Sequence, residues 1–203
     1  MIQPIVEGVG EIEAVPVLLR RLAAQMDVAH VPLGRPIRRG RGHLIQREGL
    51  AKAIDVARRQ TGCRGILVLF DADDLCPKTG AIPLQQEAAR IAAAIPCPVV
   101  LANKEFEAWF LASLEDLSDR PAGRASYPGD PDQKRGAKEE LERRLAMYYH
   151  APADQPKFAA RINLRRVHER SRSFRKLVKE YRLLLLALGF APDQWPAIGP
   201  EAS

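Results

Sequence analysis

Three acidic residues follow the most apolar segment of the chain. The segment Gly65–Phe70 is almost continuously apolar and is therefore predicted to be a central strand covered on both faces. It runs directly into Asp71, Asp73 and Asp74. Strand alternation sends Asp71 and Asp73 to the same side, while Asp74 begins the loop. Because grouped carboxylates repel one another unless a cation lies between them or some stay protonated, this pattern indicates a site for a hard cation.

A second acidic pair follows the first apolar segment. Ile2–Val6 is predicted to be a strand, Glu7 lies at its end, and Glu11 falls in the first turn of the helix that follows. Ligands of open α/β sheets bind at the carboxyl ends of the strands, so both acidic groups are expected at one edge. The competing interpretation is that Glu7 is merely solvated and that Glu11 complements the helix dipole.

The glycines between these two glutamates raise another possibility, a dinucleotide-binding loop. Gly8 and Gly10 stand between a strand and a helix, as the glycines of such a loop do. The third glycine of that motif is missing, however, and Glu7, Glu11 and Glu13 would place negative charge where a pyrophosphate should bind. Both the motif and its charge therefore argue against dinucleotide binding.

Apolar and amphipathic segments alternate through the first half of the chain, which predicts βαβ units and a mostly parallel sheet. The predicted strands are Ile2–Val6, Val28–Leu33, Gly65–Phe70 and Val99–Ala102. The predicted helices are Glu11–Met26, Leu44–Gln60, Leu84–Ile95, Glu105–Ser113, Lys134–Tyr149, Lys157–Glu169 and Ser171–Leu188. We therefore expect an α/β fold with a four-stranded sheet flanked by helices, followed by a C-terminal helical extension.

The composition, 46% hydrophobic and 28% charged over 203 residues, is that of a globular protein. We expect a core at residues 1–115, a loop at 116–133, a basic helical extension at 134–190 and a loosely packed tail at 191–203. No apolar run approaches the ~20 residues of a membrane-spanning helix, and the N-terminus lacks signal-peptide features, which predicts a cytoplasmic protein with no membrane partner. Cys63, Cys76 and Cys97 are expected to be buried free thiols.

Two basic segments accompany a net charge of +6. The stretch Arg161–Arg182 carries nine basic side chains against two acidic ones, and the loop Gly34–Gly42 is basic as well. Such segments are typical of surfaces that track a phosphate backbone, although a solvated basic face is the competing interpretation. The predicted nucleic-acid contacts are Arg38, Arg39, Arg41, Arg161, Arg165, Arg172, Arg175 and Lys176.

These motifs together resemble a known fold. Val6-Glu7-Gly8 with Glu11, followed by Asp71-x-Asp73, resembles the Toprim fold of topoisomerases, primases and old-type (overcoming-lysogenization-defect) nucleases. The segments Lys104–Trp109 and Ser171–Leu177 resemble a Toprim-like family of small bacterial proteins of unassigned function. The resemblance implies a Toprim-like, Rossmannoid α/β core that carries Mg²⁺ or Mn²⁺.

The resemblance also implies roles for individual residues. Glu7, Asp71 and Asp73 match the positions that hold the metal and support catalysis, and Glu11 matches a second acidic position of the old-type nucleases. Asp74 extends this acidic group. A further ligand would come from Glu105 or Glu107, although Glu105 equally fits a carboxylate at a helix N-terminus. A late lysine is also implied, with Lys104, Lys138 and Lys157 as the candidates.

The function expected from these features is metal-assisted hydrolysis of phosphodiester bonds, by a nuclease or nickase acting on DNA or RNA in a bacterial defence or repair system. One alternative is a non-catalytic Toprim-like module that binds metal or nucleic acid and regulates a partner ATPase or toxin. Another is a hydrolase for a small phosphorylated metabolite. The sequence contains no phosphate-binding Gly-x-x-x-x-Gly-Lys-Ser/Thr loop, so any ATP dependence must come from a partner.

Overall fold

Four segments form one parallel sheet in the computed structural model, which describes residues 1–117 and 126–197. The strands are β1 (Ile2–Val6), β2 (Ile37–Arg38), β3 (Gly65–Asp71) and β4 (Val99–Ala102), in the spatial order β2-β1-β3-β4. Every pairing is parallel, so all four strands end at the same edge of the sheet. The predicted α/β fold with a four-stranded parallel sheet is confirmed.

Helices flank the sheet and continue beyond it. Between the strands lie α1 (Glu11–Gln25), α2 (Arg41–Leu44), α3 (Arg47–Arg58) and α4 (Ala81–Ala92). After the sheet come the short helices α5 (Ala108–Leu111) and α6 (Leu114–Leu117). The C-terminal region contains a 3₁₀ turn at Pro131–Gln133, then α7 (Ala137–Leu145), α8 (Ala151–Arg161), α9 (Leu164–Arg170) and α10 (Arg172–Ala187).

The alternation of side chains along β3 explains why its sequence is apolar without interruption. Ile66, Val68 and Phe70 face a cluster formed with α3 and α4. Leu67 and Leu69 face the opposite cluster, formed with α1 and the C-terminal helices. Both faces of the sheet are therefore covered, as in other parallel sheets.

The C-terminal helices pack on the same side of the sheet as α1. Phe158 of α8 and Tyr181 of α10 belong to the hydrophobic cluster that contains the apolar face of α1. Arg21 of α1 donates hydrogen bonds to the carbonyls of Ala159 (2.6 Å) and Ile162 (2.8 Å) at the end of α8. The α/β part and the helical region thus share one core, while the domain boundaries drawn from the sequence stay a prediction.

The second strand was predicted at the wrong place. Residues 28–33 form no regular strand, and only Leu33 makes an isolated bridge, to Ile2. Val28 and Val31 are instead buried as core side chains, and Pro32 has no amide hydrogen to donate to a strand ladder. The strand β2 lies further on, inside the segment predicted to be a basic loop.

Several helix ends also differ from the prediction. The stretch 157–169 is broken between α8 and α9 at Asn163, whose side chain accepts a hydrogen bond from the amide of Arg166 and begins α9. The stretch 44–60 contains only α3, since α2 ends at Leu44, and the helix begins three residues later and ends two residues earlier than predicted. In contrast, the predicted start of the last helix is confirmed, because the Ser171 hydroxyl caps it by accepting a hydrogen bond from the amide of Phe174.

Two expectations about exposure are wrong. Residues 191–197 are not a loose tail, because Trp195 is buried and the amide of Asp193 donates to Met26 (2.9 Å). Residues 198–203 of that tail and 118–125 of the predicted loop lie outside the described residues. Among the three free cysteines, Cys97 is buried as expected, whereas Cys76 is exposed.

Candidate active site

The carboxyl edge of the sheet brings two of the predicted acidic residues together. Glu7 follows β1, and one of its carboxylate oxygens accepts a hydrogen bond from the amide of Asp71 (3.2 Å) at the end of β3. The Asp71 carboxylate in turn accepts the amide of Phe106 (2.8 Å), in the segment after β4. The ends of three strands are thus connected through two carboxylates.

Glu11 turns back over the loop between β1 and α1. Its carboxylate accepts hydrogen bonds from the amides of Glu7 and Gly8, both at 3.1 Å. A Cβ atom on Gly8 would lie 2.7 Å from a Glu11 oxygen, and one on Gly10 would lie 2.5 Å from the carbonyl oxygen of Ala151. The two glycines therefore leave room for the Glu11 carboxylate and for the start of α8.

Glu107 completes the group from the segment after β4. It is buried, and one carboxylate oxygen accepts hydrogen bonds from the Tyr149 hydroxyl (3.1 Å) and from the Gln155 side-chain amide (3.0 Å). Sequence reasoning missed Tyr149 and Gln155, which lie 42 and 48 residues further along the chain. No local pattern marks them, because only tertiary packing brings them to Glu107. We call Glu7, Glu11, Asp71 and Glu107 the acidic edge.

Burial raises the pKa of all four carboxyl groups, and repulsion from neighbouring carboxylates adds to it. Burial is the largest cause for each. The pKa of Glu11 rises to about 8, with repulsion from Glu7 and Glu107 adding to the effect of burial. The pKa of Asp71 is also well above its usual range, because burial is reinforced by Glu11, Glu107 and Glu7. These carboxyl groups are close enough to oppose one another's ionisation.

Asp73 and Asp74 do not join the acidic edge. Asp73 adopts a left-handed backbone (φ 48°), which ends the strand alternation, and its carboxylate pairs with Arg41 at 3.0 Å. Asp74 pairs with Arg135, which lowers its pKa, and lies 3.9 Å from the Lys104 ammonium. Both carboxylates are therefore already compensated by cations.

Glu105 is held by a helix. Its carboxylate accepts hydrogen bonds from the amides of Gly136 (2.7 Å) and Ala137 (3.0 Å) at the beginning of α7. Glu105 is thus a carboxylate at a helix N-terminus, as the alternative interpretation had it, but the helix is α7 and not the one predicted to begin at Glu105.

Two basic side chains, Arg41 and Lys104, lie at the end of β3. Arg41 donates hydrogen bonds to the carbonyls of Asp71 (3.2 Å) and Ala72 (3.1 Å), and Lys104 donates to the carbonyl of Asp73 (2.9 Å). The other candidate lysines lie elsewhere: Lys138 is exposed in the first turn of α7, and Lys157 pairs with Asp154.

The remaining predicted nucleic-acid contacts separate into three groups. Arg38 and Arg39 are exposed at the end of β2. Arg172 and Lys176 of α10 line a groove of about 920 Å³ that begins at Lys104 and Asp74. Arg161, Arg165 and Arg175 do not line it, and Arg175 instead donates to the carbonyls of His168 and Glu169.

The fold and this edge define a Rossmann-like α/β protein with carboxylates crowded at the carboxyl ends of its strands. The chain belongs to the family described as domain of unknown function DUF4276, whose model matches residues 6–181. That segment includes the whole acidic edge and the whole groove. Comparisons with curated proteins and with solved structures found no match. Within the described ranges, no helix is long and apolar enough to cross a membrane.

Proposed function

We propose that this protein is a metal-dependent phosphodiesterase, a nuclease or nickase, in which the acidic edge binds Mg²⁺ or Mn²⁺ and acts on DNA or RNA. The observation that carries the proposal is the crowding of four carboxyl groups, all with raised pKa, at the edge where parallel sheets bind ligands. The Toprim resemblance supports it, since Glu7 and Asp71 occupy the matching strand ends.

The chemistry of the acidic edge fits a hard cation. All four groups offer carboxylate oxygens, the ligands that Mg²⁺ and Mn²⁺ prefer. Glu7 and Asp71 each use one oxygen for a backbone amide, and the described residues donate no hydrogen bond to the other oxygen. When bound there, a divalent cation supplies Lewis-acid stabilisation of charge that develops on a phosphoryl oxygen.

The acidic edge is not preassembled around an ion. In the described part of the chain, no three His, Cys, Asp or Glu side chains are arranged so that they could hold a metal as they stand. Glu7 and Asp71 would supply two ligands. The third would come either from Glu11, which would have to turn from its hydrogen bonds, or from the second oxygen of Glu107, whose first oxygen is held by Tyr149 and Gln155. The proposal therefore includes a side-chain rearrangement on metal binding.

The chain's own cations have a separate task in this proposal. Arg41 is fixed by two backbone carbonyls and one carboxylate, so its guanidinium is held rigidly beside Asp71. A guanidinium presented in this way can orient a phosphate group of the substrate. Lys104, which donates to the carbonyl of Asp73, adds a second positive charge at the same edge of the sheet.

A second candidate function is a non-catalytic module that binds metal or nucleic acid and regulates a partner ATPase or toxin. The absence of a preassembled metal site among the described residues favours it. This candidate predicts no turnover by the isolated chain, together with co-purification of an ATPase encoded beside it.

The test uses supercoiled plasmid and single-stranded RNA incubated with Mg²⁺, Mn²⁺ or EDTA. The decisive variant is Asp71→Asn, which keeps an oxygen for the Phe106 amide and removes the charge. We expect a loss of at least ~100-fold, since even residues outside the ligand shell of a metal site contribute 10–100-fold. Glu13→Gln, an exposed glutamate in the same turn of α1 as Glu11, is the matched control. Equal cleavage by Asp71→Asn and the control would refute the proposal.

A further inference from the structure

A groove lies along the outer side of β4 and is lined in part by residues at the carboxyl edge of the sheet. Lys104 and Asp74, which follow β4 and β3, line it there, while none of the four residues of the acidic edge is among its described lining. Its two walls are the segment from Asp74 into α4 and the first turns of α10. With a volume of about 920 Å³, it is as large as the bigger ligand-binding clefts of proteins.

The charge of this groove is positive. Lys78, Lys104, Arg172 and Lys176 line it. Its two acidic residues are neutralised or turned away: Asp74 pairs with Arg135, and the buried Asp132 accepts hydrogen bonds from the Ser171 and Ser173 hydroxyls and from the Ser173 amide. Lys176 pairs with Glu180 at the surface, an interaction that a phosphate can replace.

The rest of the lining is apolar or carries side-chain amides. Ile82 is 53% exposed, and Leu75 and Pro77 extend the apolar surface. Gln86 and Asn103 add groups that can both donate and accept hydrogen bonds. A phosphate backbone needs only cations and hydrogen-bond donors. Unpaired bases, in contrast, can pack on the apolar wall with their faces and hydrogen-bond to the side-chain amides with their edges.

We infer that this groove binds a single-stranded segment of nucleic acid, with phosphates on its lysines and arginine and unpaired bases on its apolar and amide wall. The inference rests on the proposed function and names its substrate class. In a duplex the bases are stacked inside and their faces are unavailable to Ile82 or Leu75. A single strand in the groove would pass Lys104 at the carboxyl edge of the sheet and continue from there to the acidic edge, where its backbone would be cut.

An extended peptide is the competing occupant, because an edge strand can accept another strand by backbone pairing. The side chain of Gln85 already covers this edge of β4. Its amide donates to the carbonyl of Cys97 (3.1 Å), and its oxygen accepts the amide of Val99 (2.8 Å). A strand added along β4 would have to displace Gln85, so the edge is protected against peptide pairing.

The basic wall of the groove is held in place from beneath. The indole of Trp109 donates to the Ser173 hydroxyl (2.8 Å), and Asp132 binds the same hydroxyl and the Ser173 amide. These contacts fix the first turn of α10, which begins with Arg172 and leads directly to Lys176 in the second turn. The two cations are therefore presented from a rigid helix.

The experiment measures fluorescence anisotropy of a labelled single strand and of the same strand annealed to its complement, in EDTA. The test variant is the double substitution Arg172→Ala, Lys176→Ala. Its charge-matched control is Arg20→Ala, Lys179→Ala, which removes two exposed cations outside the groove. Ile82→Ser tests the apolar wall.

We expect the single strand to bind at least ~10-fold more tightly than the duplex. The groove double variant should lower the slope of log affinity against log salt by about 2, one for each lost phosphate contact, while the control leaves it unchanged. Ile82→Ser should reduce the preference for the single strand and leave the salt slope as it was.

Three results would overturn the inference. The first is equal affinity for the single strand and the duplex, and the second is equal behaviour of the groove variant and its control. The third is binding of an acidic peptide in place of the oligonucleotide. Because binding in EDTA needs no catalysis, the two proposals can fail separately. Single-strand binding without metal-dependent cleavage would contradict the proposed nuclease alone. Cleavage that survives unchanged in the groove variant would contradict the groove alone.

Discussion

The protein treats its buried carboxylates in two opposite ways. Glu87 of α4 and Glu140 of α7 are surrounded by cations: Arg47 and Arg90 pair with Glu87, and Arg143 with Arg144 pairs with Glu140. Hydrogen bonds from these arginines lower the pKa of each glutamate to about 2. At the acidic edge, four carboxyl groups stand together and their pKa is raised.

This difference separates a structural use of carboxylates from a functional one. A carboxylate that holds two elements together is matched with an arginine, and the chain has ample arginine to do so. Beside the acidic edge, Arg41 makes its ion pair with Asp73 and its hydrogen bonds with backbone carbonyls, and not with the four crowded carboxyl groups. Crowded carboxyl groups left in this state reduce stability, and such strain is typical of sites that receive a charged ligand.

The largest effect is expected from the comparison of Glu7 with Asp73. Glu7→Gln keeps an oxygen for the Asp71 amide and removes one charge from the acidic edge, so cleavage should fall by at least ~100-fold. Asp73→Asn removes a carboxylate already paired with Arg41, so its loss should stay below ~10-fold. Plasmid-nicking rates measure both. The reverse order would show that Asp73, and not Glu7, acts at the site.

A second prediction concerns the close approach of α8 to the acidic edge. Gly10→Ala would place a Cβ atom 2.5 Å from the Ala151 carbonyl and 2.3 Å from a Gln155 oxygen. The backbone of Gly10 (φ −67°) is one that any residue can adopt, so only these close contacts should disfavour alanine. We expect the unfolding free energy to fall by ~1–3 kcal/mol because of this overpacking.

Gly40→Ala is the matched control for that substitution. Nothing lies within 4 Å of its added Cβ atom, and its backbone (φ −59°) is also ordinary. Urea unfolding of both variants makes the comparison. Equal stabilities would mean that α8 can withdraw from the loop without loss, and that the helical region does not constrain the acidic edge.

A third prediction tests whether the C-terminal region positions Glu107. Gln155→Leu removes one of the two side-chain hydrogen bonds that Glu107 accepts, and we expect a loss of cleavage of ~10-fold with the fold retained. The affinity for Mn²⁺, measured by calorimetry, should fall as well, which a merely structural role for Gln155 would not cause. Unchanged metal affinity would remove Gln155 from the account of the site.

The smallest effect is expected on stability. It is measured by comparing the thermal unfolding of Asp71→Asn with that of Glu140→Gln, both in EDTA. Asp71→Asn removes a repelled carboxylate, so it should unfold at the same or a higher temperature than the wild type. Glu140→Gln removes a carboxylate bound to arginines and should be destabilised within the ~0.2–1 kcal/mol of solvent-screened pairs. Destabilisation of Asp71→Asn instead would mean that its charge is structural.

The pH dependence of Glu140 follows from its lowered pKa. A carboxyl group whose pKa is lower in the folded state contributes stability above its unfolded pKa, and this contribution is lost as the pH falls through the folded value. The difference between the wild type and Glu140→Gln should therefore be full above pH 4.5 and disappear towards pH 2. A difference that persists at pH 2 would show that packing, and not charge, is responsible.

Sequence pattern predicted the strands that are buried on both faces. The predicted bounds of β1, β3 and β4 agree with the structure to within one residue, because a strand buried on both faces is a continuous apolar run. The strand β2 was missed because it has only two residues and its neighbours, Val28 and Val31, are apolar for reasons of packing. Short edge strands carry too little pattern to be recognised.

The acidic edge was predictable only where a residue lies directly at a strand end. Glu7, Glu11 and Asp71 follow from strand order, but the left-handed backbone at Asp73 is invisible in sequence. The roles of Tyr149 and Gln155 depend on how α8 packs against α1, which no local pattern encodes. The same holds for the basic stretch, where a break at Asn163 separates residues that a continuous helix would have aligned.

The most direct test of the account is whether the acidic edge binds a divalent cation. Calorimetric titration of Mn²⁺ would compare the wild type, the double substitution Glu7→Gln, Asp71→Asn, and the control Glu13→Gln. The account predicts saturable binding by the wild type and by the control, and none by the double variant. Binding that survives in the double variant, or that is lost in the control, would contradict it.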